Sequence, residues 1–125
     1  MDGRVTHFEI PYDDGERAKA FYQQAFGWQT VDMPEYDYTA VSTGPTGSDG
    51  MPSEAGFIGG GMTPRSDAVA QPVITLDVSD MDAALTAVTG AGGSVVVPKQ
   101  GVGDMGFVAY FEDTEGNVMG LWQSA

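Results

Sequence analysis

Residues 6–28 read THFEIPYDDGERAKAFYQQAFGW, and this stretch decides the fold. From Arg4 to Ile10 the chain alternates, with Phe8 and Ile10 on one face and Val5, His7 and Glu9 on the other. A period of two is the signature of a half-buried strand, and Pro11 ends it or lies at its edge. Asp13-Asp14-Gly15-Glu16 then supplies a helix start: a carboxylate to accept from free amides, and acidic charge near the positive end of the helix. Ala18, Phe21, Tyr22, Ala25 and Phe26 recur at helical spacing, which assigns Phe21, Tyr22 and Phe26 to a core-facing stripe. Gly27 provides the stop.

The same pattern restarts further along. Residues 73–98, VITLDVSDMDAALTAVTGAGGSVVVP, give a strand over Val73–Val78 and a cap at Ser79-Asp80. A helix follows, carrying Met81, Ala84, Leu85, Val88 and Ala91, with a stop at Gly92-Gly93 and a strand over 94–97 ended by Pro98. His7 overlays Val73 and Gly27 overlays Gly93 at one offset, 73 − 7 = 93 − 27 = 66, while Gly59 overlays Gly120 at 120 − 59 = 61. Between the two units, strands are expected over 28–31, 36–43 and 56–62, with a loop over 44–55 and a linker over 63–71. After the second unit come a loop over 99–106, a strand over 107–111, a tight turn over 113–117 and a last strand over 118–123. Each half reads β-α-β-β-β. A sheet with one helix leaves apolar surface uncovered, so the two modules are expected to share one core as a single domain over 1–125, module one spanning about 4–62 and module two about 72–125.

Composition removes several function classes. The chain has 125 residues, 42% of them hydrophobic, enough for one core. Eighteen acidic against five basic residues give a net charge of −13, the wrong sign for nucleic acid or an anionic membrane. There is no cysteine, which excludes disulfides, thiolate metal sites and cysteine nucleophiles. No apolar run approaches the ~20 residues that span a bilayer, and MDGRVTHFEI lacks the layout of a secretory signal, so a cytoplasmic protein is expected. Gly59-Gly60-Gly61 is not a phosphate loop, because no Lys-Ser/Thr and no helix start follow it; it fits a close approach by ligand or neighbouring chain.

Three stretches in order, THFEIPYDDGERAKAFYQQAFGW, VITLDVSDMDAALTAVTGAGGSVVVP and AYFEDTEGNVMGLWQ with its D-x-[DE]-G-N turn, resemble the vicinal-oxygen-chelate superfamily of glyoxalases and bleomycin-resistance proteins. The resemblance implies an α+β fold in which two βαβββ modules form an open, cup-shaped, eight-stranded mixed sheet with helices outside, a ligand inside the cup, and a homodimer. It also implies a divalent metal, Zn, Ni, Mn or Fe, held by His, Glu or Gln on the first and last strands of each module to polarise substrate oxygens. Carried over position by position, His7 matches, whereas Gly59 or Gly60, Val73 and Gly120 offer no donor side chain. With one histidine in the chain and a divalent site needing three or more converging donors, no resident cofactor is expected; His7 is the single residue that would ligate one, with Glu9 a weak second donor.

The candidate ligand-contacting residues are therefore His7, Glu9, Tyr38, Gly59, Gly60, Val73, Thr75, Tyr110, Gly120 and Trp122, with His7 and Glu9 as the acid–base pair. Trp122 shares the face of Gly120, while Met119 and Leu121 face the helices. The loss of side chains at Gly59 and Gly120 would enlarge the cup, and the loops 44–55 and 99–106 would flank its mouth. The leading expectation is small-molecule binding without the full family metal site. Two alternatives stay open: a lyase or isomerase acting on a small oxygenated metabolite, and a protein that sequesters a cationic or aromatic antibiotic-like compound, which the acidity and the aromatic residues suit. A third is an interaction module that uses its edge strands.

Overall fold

The computed structural model describes residues 2–125. The fold is α+β, with eight strands, two α-helices and one short 3-10 turn among the described residues. Module one consists of β1 (Arg4–Tyr12), α1 (Gly15–Phe26), β2 (Gln29–Met33), the 3-10 turn Pro34–Tyr36, β3 (Tyr38–Ser42) and β4 (Gly59–Pro64). Module two repeats the order with β5 (Val73–Asp77), α2 (Met81–Gly90), β6 (Ser94–Val102), β7 (Gly106–Glu112) and β8 (Val118–Ser124). The strands run β2-β3-β4-β1 in the first and β5-β8-β7-β6 in the second. In each, the first and last strands pair in parallel and the other neighbours are antiparallel, so the duplicated βαβββ reading holds.

Contacts divide the chain into His7–Pro72 and a second unit in which residues 2–6 join Val73–Ala125. The N-terminal segment is tied to the second unit by Gly3 N–H donating to the Asp77 carbonyl at 2.9 Å and by Ser79 donating to the Asp2 carboxylate through its hydroxyl at 2.8 Å.

Both helix starts follow from their capping aspartates. Asp14 Oδ1 accepts from Arg17 N–H at 3.1 Å, and Asp80 Oδ1 accepts from Ala83 N–H at 3.0 Å, each contact contributing about 1 kcal/mol. Gly27 ends α1 in the left-handed region at φ 74°. In the turn after β7, Asp113 Oδ1 accepts from Glu115 N–H and Asn117 N–H at 2.8 and 3.0 Å, and Gly116 takes φ 83°. That geometry explains the Asp-x-x-Gly-Asn pattern: the carboxylate closes the turn and the glycine passes through it.

The strands differ from the expected bounds for identifiable reasons. β1 runs through Pro11 to Tyr12. Arg65 N–H donates to the Tyr12 carbonyl, so even-numbered residues direct their polar groups toward β4 and the missing N–H of Pro11 points the other way. β6 runs through Pro98 to Val102 because its register with β7 shifts between Val95 and Val97 and again between Val97 and Gln100; proline is tolerated at such irregularities. The expected loop over 99–106 is therefore mostly strand, which leaves only a short turn there rather than a mobile cover. β2, β3 and β4 each start one to three residues later than expected.

Module two carries the clearer core. Val78, Met81, Ala109, Phe111 and Leu121 are buried together, with Leu76, Ala84, Leu85, Val88, Phe107 and Met119 packed around them. Met119 and Leu121 thus face α2 as alternation requires. In module one the expected α1 core stripe is corrected. Phe21 and Phe26 are 57% and 68% exposed, and no α1 residue is fully buried. Their rings pack on other rings instead: Phe21 edge-on against Tyr22, Tyr22 stacked on Trp28 at 4.6 Å, and Phe26 beside Trp28. Aromatic packing at the helix surface replaces insertion into the sheet.

Candidate functional site on the His7 strand

Pairing register sorts the residues of module one onto two faces. His7 lies opposite Gly59, Phe8 opposite Gly60, and Glu9 opposite Gly61; Ala40 lies opposite Gly61 across the other edge of β4. His7, Glu9, Gly59, Gly61, Ala40 and Tyr38 therefore share one face. Phe8, Gly60, Met62 and Val41 share the other, where Phe8 packs against Trp28. Gly60, expected beside the ligand, is on this second face: a Cβ there would stand 2.6 Å from the Phe8 ring. The one-residue alternation of a strand puts it back to back with Gly59 and Gly61.

On the first face, His7 Nε2 and the Tyr38 hydroxyl are hydrogen-bonded at 2.7 Å, and their rings lie near parallel at 17°. The phenol reaches His7 by crossing Gly61; a Cβ at position 61 would collide with the Tyr38 hydroxyl and ring. At Gly59 a Cβ would come within 3.1 Å of the Val41 carbonyl. Glu9 is 7% exposed, one pleat along from His7. Burial holds the His7 imidazole below its ordinary pKa of 6.5. At neutral pH the pair is thus an uncharged imidazole against a phenol.

This shift carries a pH prediction. The unfolded chain takes up a proton at His7 near 6.5, whereas the folded chain takes it up at a lower pH, so between those two values the unfolded state binds more protons. Stability contributed by neutral His7 is complete above pH 6.5 and declines as pH falls through that window. In urea titrations, His7→Gln removes this decline; an identical pH slope in both proteins would refute it.

Module two has a corresponding face. Thr75 lies opposite Gly120, and so does Tyr110. Val73 and Thr75 are buried at 2% and 4% exposure. A Cβ on Gly120 would meet the Thr75 hydroxyl at 2.8 Å and the Tyr110 ring at 3.6 Å. The glycine is therefore filled by its neighbours, and the expected enlargement is absent at this position. Trp122 lies on the same face as Gly120, with its indole N–H donating to Ser124 Oγ at 3.2 Å.

The register also corrects the overlay of the halves. Glu9 overlays Thr75, since 75 − 9 = 66. Glu9 pairs with Gly61 and Thr75 with Gly120. The equivalent of Gly120 is thus Gly61, at 120 − 61 = 59, and not Gly59. Gly61 is the site residue that the sequence reading passed over. Counting in twos from Gly59, along the face that pairs with His7 and then Glu9, would have found it.

The family's metal set does not fit these residues. Position 61 is occupied by the phenol of Tyr38, His7 Nε2 is engaged by that phenol, and positions 59, 73 and 120 carry no donor side chain. Among the described residues no group of three or more His, Cys, Asp or Glu side chains gathers where a metal ion could be held, and no helix is long and apolar enough to cross a membrane.

Residues 4–44 match the bleomycin resistance protein-like N-terminal family. A glyoxylase-like domain-containing protein of Didymella fabae is 30% identical over 120 residues, covering 94% of this chain and 91% of that one. The putative glyoxylase CFP32 of Mycobacterium tuberculosis is 31% identical over 124 residues, covering 98% of this chain and 46% of that protein. The chain thus spans about half the length of the CFP32 protein. The fold is also that of Streptomyces coelicolor methylmalonyl-CoA epimerase in complex with 2-nitronate-propionyl-CoA, with a TM-score of 0.66 at 20% identity over 100% of this chain and 96% of that one. Methylmalonyl-CoA epimerase from Mycobacterium tuberculosis gives 0.64 at 17% identity, over 98% and 88%. The chain is a glyoxylase-like protein of the vicinal-oxygen-chelate superfamily.

Proposed function

We propose that this glyoxylase-like protein binds a small molecule on the face of module one that carries His7, Glu9, Tyr38 and Gly59, without the full metal set of its metal-dependent relatives. The observation that carries the reading is the His7–Tyr38 hydrogen bond, made on a half-buried strand face over a glycine that leaves room for it. A polar pair on a sheet face, beside a buried carboxylate, is a costly arrangement for packing alone.

A second reading is supported by Glu9. A carboxylate at 7% exposure, two residues from an uncharged imidazole on the same face, is a general acid–base arrangement. It suits a lyase or isomerase acting on a small oxygenated metabolite, as the epimerase fold neighbours also suggest. Sequestration of a cationic or aromatic compound draws its support from the net charge of −13.

One set of experiments separates them. Thermal-shift screening of oxygenated metabolites and basic antibiotics on the purified protein is expected to give a stabilising hit that His7→Ala loses. Product analysis on that hit then decides: turnover abolished in Glu9→Gln supports the enzyme, and tight binding of an unchanged compound supports binding or sequestration. One equivalent of Zn, Ni, Mn or Fe per chain, lost in His7→Ala, would overturn the metal-free reading. Retention of every hit by His7→Ala would overturn the site.

A further inference from the structure

We propose that Tyr38 is a positioning residue that donates its hydroxyl proton to His7 Nε2, so that His7 carries its own proton on Nδ1 and offers the ligand a neutral N–H donor. The proposal rests on the binding reading above and adds to it the class of ligand group recognised: an acceptor oxygen, such as a carbonyl, rather than a cationic N–H.

The direction of the hydrogen bond follows from the acidities of the two groups. In a neutral imidazole one nitrogen donates and the other accepts, and the bond made by one nitrogen sets the role of the other. A phenol, with an ordinary pKa of about 10, is a stronger acid than a neutral imidazole N–H, and an unprotonated imidazole nitrogen is a better acceptor than a phenol oxygen. Within this pair the acidities therefore favour the 2.7 Å contact running from Tyr38 O–H to Nε2.

The other nitrogen is available. Among the described residues Nδ1 has no hydrogen-bond partner, and no buried side-chain nitrogen or oxygen is left unpaired, so Nδ1 is not sealed in. The ring is held on the Tyr38 side: the phenol is bonded to Nε2 at 2.7 Å and lies near parallel to the imidazole at 17°, and Gly61 admits the phenol where any side chain would block it. A ring held with one nitrogen engaged and one accessible is a pre-set donor. Without the phenol, a histidine in water favours the opposite form, with the proton on Nε2, so the arrangement predicts a tautomer that the side chain does not choose alone.

His7 is the only histidine in the chain, so one ring gives every imidazole signal. In uniformly 15N-labelled protein at pH 8, long-range 1H–15N correlation is expected to show Nδ1 protonated and Nε2 as the bare acceptor. Tyr38→Phe, with its fold checked by the backbone amide spectrum, is expected to move the proton to Nε2. Finding Nε2 protonated in the unaltered protein overturns the proposal, as does an unchanged tautomer in Tyr38→Phe. Titration with two small probes then tests the ligand class: acetamide is expected to shift the Nδ1 resonance and methylammonium is not. A response to methylammonium alone overturns the acceptor-oxygen assignment. No response to either probe overturns Nδ1 as a ligand contact, and with it the binding reading for this face, while the tautomer assignment stands on the free protein.

Discussion

Leu121→Ala is expected to destabilise the protein by about 2–5 kcal/mol, in the upper half of that range. Leu121 is 2% exposed. Its strand is interior, paired with β5 through Leu76 and with β7 through Ala109, so the backbone on either side is held by ladder hydrogen bonds and does not close over a void. Ala109, already the smallest side chain in the cluster, has nothing to extend into the space, and Met81 and Phe111 are themselves buried. A cavity that does not collapse forfeits dispersion contacts as well as transfer free energy. Since whole-domain stabilities are about 5–15 kcal/mol, this one change takes a large share of the total. It is expected to lower Tm by about 10 °C or more, with an unchanged dependence on urea. Leu85→Ala is the internal comparison: Leu85 is only partly buried on the rim of the same cluster, and its loss is expected to cost less. A cost below about 1 kcal/mol for Leu121→Ala would show that the cluster does not bear on stability as described.

The periodicities that place Leu121 were legible in the sequence. Two apolar stripes of period two, two aspartate caps and two glycine-rich stops are local signals, written within ten or so residues of the structure they specify. That is why the βαβββ duplication, the helix starts at Asp13-Asp14 and Ser79-Asp80, and the opposed facing of Leu121 and Trp122 could be read without coordinates. What was not legible depends on pairing across distance. Whether Gly59 or Gly61 stands beside Glu9 is a question of register, and register is set by the whole sheet rather than by the glycines. The strand through Pro98 required the irregular register of β6 with β7. The exposure of Phe21 and Phe26 required knowing that Trp28 and Tyr22 would offer them ring partners. The site shows the same division: His7 and Glu9 were candidates by strand face and Tyr38 as an aromatic wall residue, but the joining of His7 and Tyr38 into one hydrogen-bonded pair depended on Gly61, a residue with no side chain to signal it.

Gly61→Ala is accordingly the second large effect. The added Cβ would lie within the space of the Tyr38 hydroxyl and ring, and the phenol has no adjustment that keeps both its rotamer and its bond to His7. Overpacking of this kind costs about 1–3 kcal/mol, and loss of the hydrogen bond about 0.5–1.5 kcal/mol more. The backbone is not the obstacle, since Gly61 does not occupy the left-handed region. A double-mutant cycle isolates the collision: in a Tyr38→Ala background the cost of Gly61→Ala is expected to fall to within about 0.5 kcal/mol of zero, because the group it strikes is gone. Gly101→Ala, with nothing within 4 Å of its added Cβ, serves as the neutral control. If binding runs through His7, Gly61→Ala and Tyr38→Phe are expected to weaken the ligand alike, by about tenfold for each 1.4 kcal/mol lost. They reach the same imidazole by different routes, one by removing the donor and the other by displacing it. A full cost of Gly61→Ala in the absence of Tyr38 would mean that the glycine serves the backbone of β4. The conjunction of His7, Tyr38 and Gly61 would then be packing rather than a site.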